Sequence, residues 1–221
     1  MERGLRQVVE TAHSVGLRTT STDIATQSSI TAALAAMRPS GSHRRAGRVA
    51  TGSRAARATP SPSQHRIMFG HVDTPVSWAR HLQHLRSLQA RTGGITEFVP
   101  LPFVHMESPV FLRGGARRGP TLRECVLMHA VGRIALHPLI PNIQASWVKM
   151  GPEQAAKLLH CGANDMGGVL MNESITRAAG AEHGQEVSAH DMEQLIQLAG
   201  RIPVRRNTFY GHIDSGRVTS I

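Results

Sequence analysis

The 221 residues carry 40% hydrophobic and 4% aromatic side chains, enough for one ordinary domain whose core is mostly aliphatic. A formal charge of +10 would ordinarily point to nucleic acid, but Arg38, Arg44, Arg45, Arg48, Arg54, Arg57 and Arg66 crowd one stretch, 23–66, whose single acid is Asp23. Two cysteines, Cys125 and Cys161, exclude a disulfide framework; no run approaches transmembrane length, Met1 to Arg6 lacks the apolar core of a secretory signal, and cytoplasmic and organellar addresses both stay open.

Along the chain, Leu5, Val8, Val9, Ala12 and Val15 share one helical face over 3–16, with Gly16 as C-cap. Leu17 to Thr22 then begins like a strand. From Asp23 to Arg66 there is no aromatic residue, and only 24–37 has a helical pattern. Such a stretch cannot bury enough apolar surface to offset chain entropy, so 23–66 is expected to be a disordered basic insert. Ile67 to Pro75 resumes regular structure, and Trp78, Leu82, Leu85 and Leu88 follow at helical spacing, ending at Gly93-Gly94. Ile95 to Val104 reads as a buried strand whose Pro100 and Pro102 confine pairing to its first half. Thr121 is an N-cap for a helix to about Leu136, a strand covers 142–149, and Pro152 opens a helix over 152–160. A strand over 163–170 and a helix over about 189–199 complete the pattern, and 203–221 is a basic, irregular tail.

Strands separated by single helices imply an α/β fold with a parallel sheet. A complete β/α barrel takes roughly 250 residues. Residues 1–22 and 67–202 therefore read as half a barrel, and barrel sites gather at the C-terminal ends of strands.

Four segments, Phe69 to Pro75, Thr92 to His105, Asn142 to Lys149 and Gly162 to Gly180, resemble in order the C-terminal half of FO synthase, the deazaflavin-forming radical S-adenosyl-L-methionine enzyme. The likeness goes furthest with its tyrosine-using 4-hydroxyphenyl transferase subunit. It implies the C-terminal half of a radical SAM β/α (TIM-type) barrel, with S-adenosyl-L-methionine and a 4Fe-4S cluster as cofactors. It also implies tyrosine and ribitylaminouracil as substrates, and as partners the N-terminal half-barrel and the other FO synthase subunit or domain. A menaquinone-pathway (futalosine-type) radical SAM enzyme shares the half-barrel pattern. A non-catalytic truncated product is a second reading, and a nucleic-acid binder built on the insert a third, which lacks aromatic interleaving. The cluster of the family sits in a Cys-x-x-x-Cys-x-x-Cys loop, and neither Cys125 nor Cys161 lies in one. The chain alone is therefore expected to be inactive and, with open sheet edges, to aggregate or stay partly unfolded. By the same resemblance, Thr19 to Thr22 and Ile67 to His71 look like two halves of one strand. The stretch between them resembles a retained intron, with a genuine regulatory insertion as the alternative.

The candidate site residues stand where strands end. Gln144 and Ser146 alternate with apolar neighbours and would face substrate, as would Glu173 in the last loop; the rival readings are a satisfied polar layer and a helix-start acid. His105 is a candidate proton donor and Lys149 a candidate for meeting a carboxylate, against a structural histidine and a surface lysine. His71, Glu97, Asn164 and Asp165 are candidates for cofactor contact. A carboxylate inside an apolar strand needs a partner or a role, and for Glu97 an arginine ion pair is the rival. Asp73 could cap the helix before Pro75, and His81 and His84, at i and i+3, read as a solvated face. No residue set with metal-ligand spacing is seen.

Overall fold

The computed structural model describes residues 21–24, 64–169, 176, 178–183 and 186–211. The helix expected over 3–16, the insert between 25 and 63, and Asn172-Glu173-Ser174 lie outside the described residues. Four strands, β1 (Ser21–Ile24), β2 (Gln64–Phe69), β3 (Glu97–Pro102) and β4 (Asn142–Ile143), form one sheet in that order. Every pairing is parallel, and an isolated bridge, Gln144 to Asp165, continues the sheet beyond β4. The α/β expectation therefore holds; the described sheet is a parallel one with helical crossovers.

Side-chain alternation divides the sheet. His65, Ile67 and Phe69 of β2 and Phe98 of β3 are buried on one face, which the helices cover. Glu97, Val99 and Leu101 project to the other face, in register with Gln64, Arg66 and Met68. Fully burying side chains such as Phe98, Ile67 and Ile143 contributes roughly 1.5–3 kcal/mol each.

The helices follow their local signals. Helix α1 (Pro75–Thr92) starts at a capping box of Thr74 and Ser77 and buries Trp78, Leu82, Leu85 and Leu88. Its C-cap is Gly93 at φ 59°, a left-handed conformation that glycine adopts without a Cβ clash. A helical turn, α2 (Pro109–Leu112), was not foreseen. Helix α3 (Leu122–Leu136) starts at a second capping box, Thr121 with Glu124. Helices α4 (Trp147–Met150) and α5 (Pro152–Lys157), a 3-10 turn (Leu158–His160) and α6 (Ala189–Leu198, capped by Ser188) complete the described set.

Several expectations need correction. Residues 64–66, assigned to the insert, are the first half of β2. The supposed halves of one strand are two neighbours, with Asp23 beside Ile67 and Ile24 beside Met68. Pairing of β3 does not stop at its prolines but runs to Pro102. In a parallel strand successive residues bond to opposite sides. The Phe98 carbonyl accepts from Gln144 N on the β4 side, and Phe103 N donates to Phe69 O on the β2 side. Pro100 and Pro102 have the parity of Phe98, so their missing N–H groups face the side where β4 has ended.

The strand expected over 142–149 is only β4, because the chain turns at Ser146 and Trp147–Met150 coils into α4, closed by Gly151 N donating to Trp147 O. The strand expected over 163–170 shrinks to the bridge at Asp165, whose side chain accepts from Gly167 N at 2.8 Å and bends the backbone out of the ladder. No described helix is long and apolar enough to cross a membrane.

Candidate functional site

A cavity of about 280 Å³ opens beyond the C-terminal end of β3. Its walls combine Phe103, Pro120, Cys125 and Met150 with the polar side chains of His105, Lys149, Gln154, Glu182 and His183. An apolar body with a few convergent polar groups suits a small, partly aromatic ligand. Lys149, at the last turn of α4, donates from Nζ to Thr176 Oγ1 at 2.5 Å. His105 stands edge-on to Phe111, ring centroids 4.7 Å apart. Cys125 contributes only bulk: burial, then the Glu124 charge, pushes its thiol up to about 12.

His71 lies behind this wall, 94% buried, with its ring 5.5 Å from Phe103. Its Nδ1 is 2.9 Å from Asp73 Oδ1, while its buried Nε2 meets no partner among the described residues. Asp73 is not the helix cap; Thr74 is. The Asp73 carboxylate instead accepts from the backbone of Gly70 and His71 and from Trp78 Nε1, fixing the turn after β2. Burial alone would raise its pKa, but the His71 contact and these amides outweigh it and hold the carboxyl below its ordinary range. Gly70, at φ 89°, lets the turn press against Pro120; a Cβ there would stand 2.5 Å from Pro120 N.

A second polar group lies at the opposite end of β3, roughly 16 Å from the cavity at a strand's rise per residue. Glu97, 1% exposed, meets the Tyr210 hydroxyl and Arg206, whose Nη2 is 3.5 Å away. The Tyr210 hydroxyl also donates to Asp165 Oδ2 at 2.5 Å, and Arg206 pairs with the same oxygen. Arg206 stacks over the Tyr210 ring, 4.1 Å from its centroid. Burial raises the Glu97 pKa, helped by the Asp165 charge and opposed by Tyr210 and Arg206. Burial also pushes the Tyr210 phenol up, as do both carboxylates.

The expected site residues thus divide. His105 and Lys149 share the cavity. Glu97 and Asp165 share Arg206 and Tyr210 away from it. Asn164 accepts at Oδ1 from Ile143 N (2.8 Å) and Arg133 Nη2 (2.7 Å), holding β4 in place. Gln144 packs its side-chain amide beneath Gly167 on the face shared with Glu97, and Ser146 takes the N-cap position of α4 without a capping hydrogen bond. Glu173 lies outside the described residues. His81 is not simply solvated: its Nε2 is 2.9 Å from His65 Nε2. Arg206 and Tyr210 escaped sequence reasoning. The signals were a buried Glu97 in want of a partner and the chain's single tyrosine, standing in a basic tail.

A family model described as "CofH/MqnC C-terminal region" matches residues 92–218. Over 149 residues (67% of this chain, 40% of the relative) the sequence is 50% identical to the 5-amino-6-(D-ribitylamino)uracil--L-tyrosine 4-hydroxyphenyl transferase of Methanopyrus kandleri. It is 50% identical over 155 residues to the FO synthase of Streptomyces coelicolor (70% of this chain, 18% of the relative). The FO synthase of Mycobacterium leprae is 50% identical over 148 residues (67% of this chain, 17% of the relative). The chain therefore spans less than half the length of these curated relatives. Because the family model matches more than half of the 221 residues, the chain belongs to the CofH/MqnC C-terminal region family.

Proposed function

We propose that this chain forms the C-terminal half of a β/α barrel in a radical SAM transferase, which joins a tyrosine-derived hydroxybenzyl fragment to 5-amino-6-ribitylaminouracil in FO synthesis. The observation that carries this reading is the 50% identity to a tyrosine 4-hydroxyphenyl transferase over 149 residues. The cavity beyond β3 lies within that chemistry's usual place, the C-terminal ends of barrel strands. The N-terminal half-barrel and the second FO synthase activity are the partners this reading requires, in a cytoplasmic or organellar setting.

In the cavity, Phe103 and Pro120 supply flat apolar walls for an aromatic ring. Lys149, held by Thr176, presents a positive charge to a carboxylate or an oxygen-rich substrate end. His105, on the wall of the same cavity, is a group able to hold or pass a proton. Gln144, Ser146 and Glu173 are proposed substrate contacts.

The residues of this chain do not fit the 4Fe-4S cluster. Among the described residues no three His, Cys, Asp or Glu side chains converge, and Cys125 is buried and protonated. Among the described residues S-adenosyl-L-methionine finds no assembled donor set either. Glu97, Asn164 and Asp165 are engaged by protein partners, and of the expected cofactor contacts only His71 keeps an unpartnered atom.

The test is a graft. Residues 67–211 replace the matching segment of the Methanopyrus kandleri relative, and product from tyrosine and ribitylaminouracil is followed by mass spectrometry. The expected result is turnover by the graft and its loss by at least about a hundredfold in Lys149→Met. A folded, cluster-loaded graft that makes no product, or one that turns over a futalosine-type substrate instead, would overturn the reading.

A further inference from the structure

We infer that Arg206 and Tyr210 are positioning residues, which set the place of Lys149 in the cavity by clasping Glu97 and Asp165 together on the face of the sheet opposite Phe98. The inference rests on the proposed function only for which site is being positioned.

The segment that leads into α4 is held from both sides. On one side Gln144 N donates to Phe98 O at 3.0 Å. On the other Ala145 N donates to Asp165 O at 2.8 Å, and Asn164 N to Ile143 O at 3.0 Å. The residue next to the first anchor is Glu97, and the second anchor is Asp165 itself. Both are carboxylates with side chains no more than 7% exposed, on the two lines of the sheet that flank the 142–145 segment. Left to themselves, two buried carboxylates would repel and drive their strands apart. The tail removes that conflict. Arg206 supplies a positive charge to both, and the Tyr210 hydroxyl lies within hydrogen-bond distance of both.

The tail is built for this contact. Tyr210 has φ 61°, the one non-glycine residue at positive φ among the described residues, and a bulky side chain there is a strained choice. Asn207 holds it in place: Oδ1 accepts from Phe209 N and Gly211 N, both at 2.9 Å, and Asn207 O accepts from Tyr210 N at 3.1 Å. The clasp joins residues more than a hundred positions apart, between β3 and the last sheet position. Lys149 lies four residues beyond Ala145 on a single helical turn, so a shift of the 143–145 backbone moves it directly.

The experiment measures amide hydrogen exchange on the full chain for Tyr210→Phe, which removes one hydroxyl, and for Asn207→Ala, which releases the turn from an exposed loop and leaves the buried carboxylates untouched. Exchange over 142–150 is expected to rise about tenfold or more in both variants, with 75–92 unchanged and Arg206→Lys showing a smaller rise than Arg206→Gln. Unchanged exchange at 142–150 in either variant, or an equal rise in 75–92, overturns the inference. In the graft enzyme, Tyr210→Phe is expected to raise KM about tenfold, where mere loss of folded protein would leave KM alone. A graft without product, whose exchange still responds locally, defeats the proposed function and leaves the clasp standing. A productive graft whose KM and exchange ignore Tyr210→Phe defeats the clasp alone.

Discussion

Asn164 was expected to touch a cofactor, yet its amide oxygen is spent on architecture: it takes the Ile143 N–H and the Arg133 guanidinium, a group that also reaches the carbonyls of Pro141 and Gly162. Removing that oxygen orphans a strand donor at the start of the cavity-bearing segment. Asn164→Ala is expected to destabilise the fold by about 1–3 kcal/mol, read as a shift in denaturation midpoint. Asn164→Asp keeps the acceptor and adds an attraction for Arg133, so it is expected to lose less. An Ala variant as stable as the parent would mean that water replaces the amide. Gly70 makes a separate prediction, because both its φ of 89° and its closeness to Pro120 exclude a methyl group. Gly70→Ala should cost about 2 kcal/mol or more, since neither the backbone nor the proline ring can yield cheaply.

At the scale of elements, β3 is a strand with one guarded edge. Beyond Phe98, no described strand pairs with it on the β4 side, and Pro100 and Pro102 remove the two donors that would face outward there. Restoring them in a Pro100→Val, Pro102→Val variant is expected to leave helix content unchanged while raising aggregation, seen as light scattering at constant concentration. A variant that stays as dispersed as the parent argues against the guarding role. This element also shows which parts of the fold were legible. Helices α3 and α5 announce themselves through Thr121 and Pro152, and α1 through the spacing of Trp78, Leu82, Leu85 and Leu88, because capping and periodicity are written within a few residues. Strand extent is decided by distant partners. Nothing near 142–149 reveals that the ladder ends at Ile143, and nothing near Pro100 reveals on which side the neighbour stops. The site divides in the same way. His105 stands just past β3, and Lys149 was singled out as the end of a strand that in fact stops at Ile143, whereas Arg206 and Tyr210 reach Glu97 from 109 and 113 positions away, a pairing that no local pattern encodes.

The whole molecule carries a pH dependence that follows from two buried histidines, His65 and His129, and the half-buried His81. His129 is fully buried, with Nδ1 2.8 Å from the Cys125 carbonyl, and burial outweighs the Cys125 and Gln144 carbonyls to bring its pKa down to about 4. Burial and then His84 bring His81 to about 4, and burial and then His81 hold His65 well below its ordinary range. The close approach of His65 and His81 works only while at least one ring is neutral, since one Nε2 must accept from the other. For each group the folded protein binds a proton less readily than the unfolded chain. Their contribution is therefore complete above the unfolded value of about 6.5 and is lost as pH falls from there, for His81 and His129 toward about 4. For His129 alone the loss is on the order of 3 kcal/mol across that window. Glu97 acts in the opposite sense: its raised pKa makes the folded state the stronger proton binder, so acidification relieves it, but it is one group against three. Denaturant titrations at steps between pH 7.5 and 4.5 should therefore show stability falling steadily, with a slope approaching the uptake of more than one proton on unfolding. His129→Gln should remove about one proton from that slope while leaving the decline due to His65 and His81. A flat profile, or a slope that His129→Gln leaves unchanged, would show that these rings are hydrated in solution and that the core around Met128 and Ile143 is looser than its packing implies.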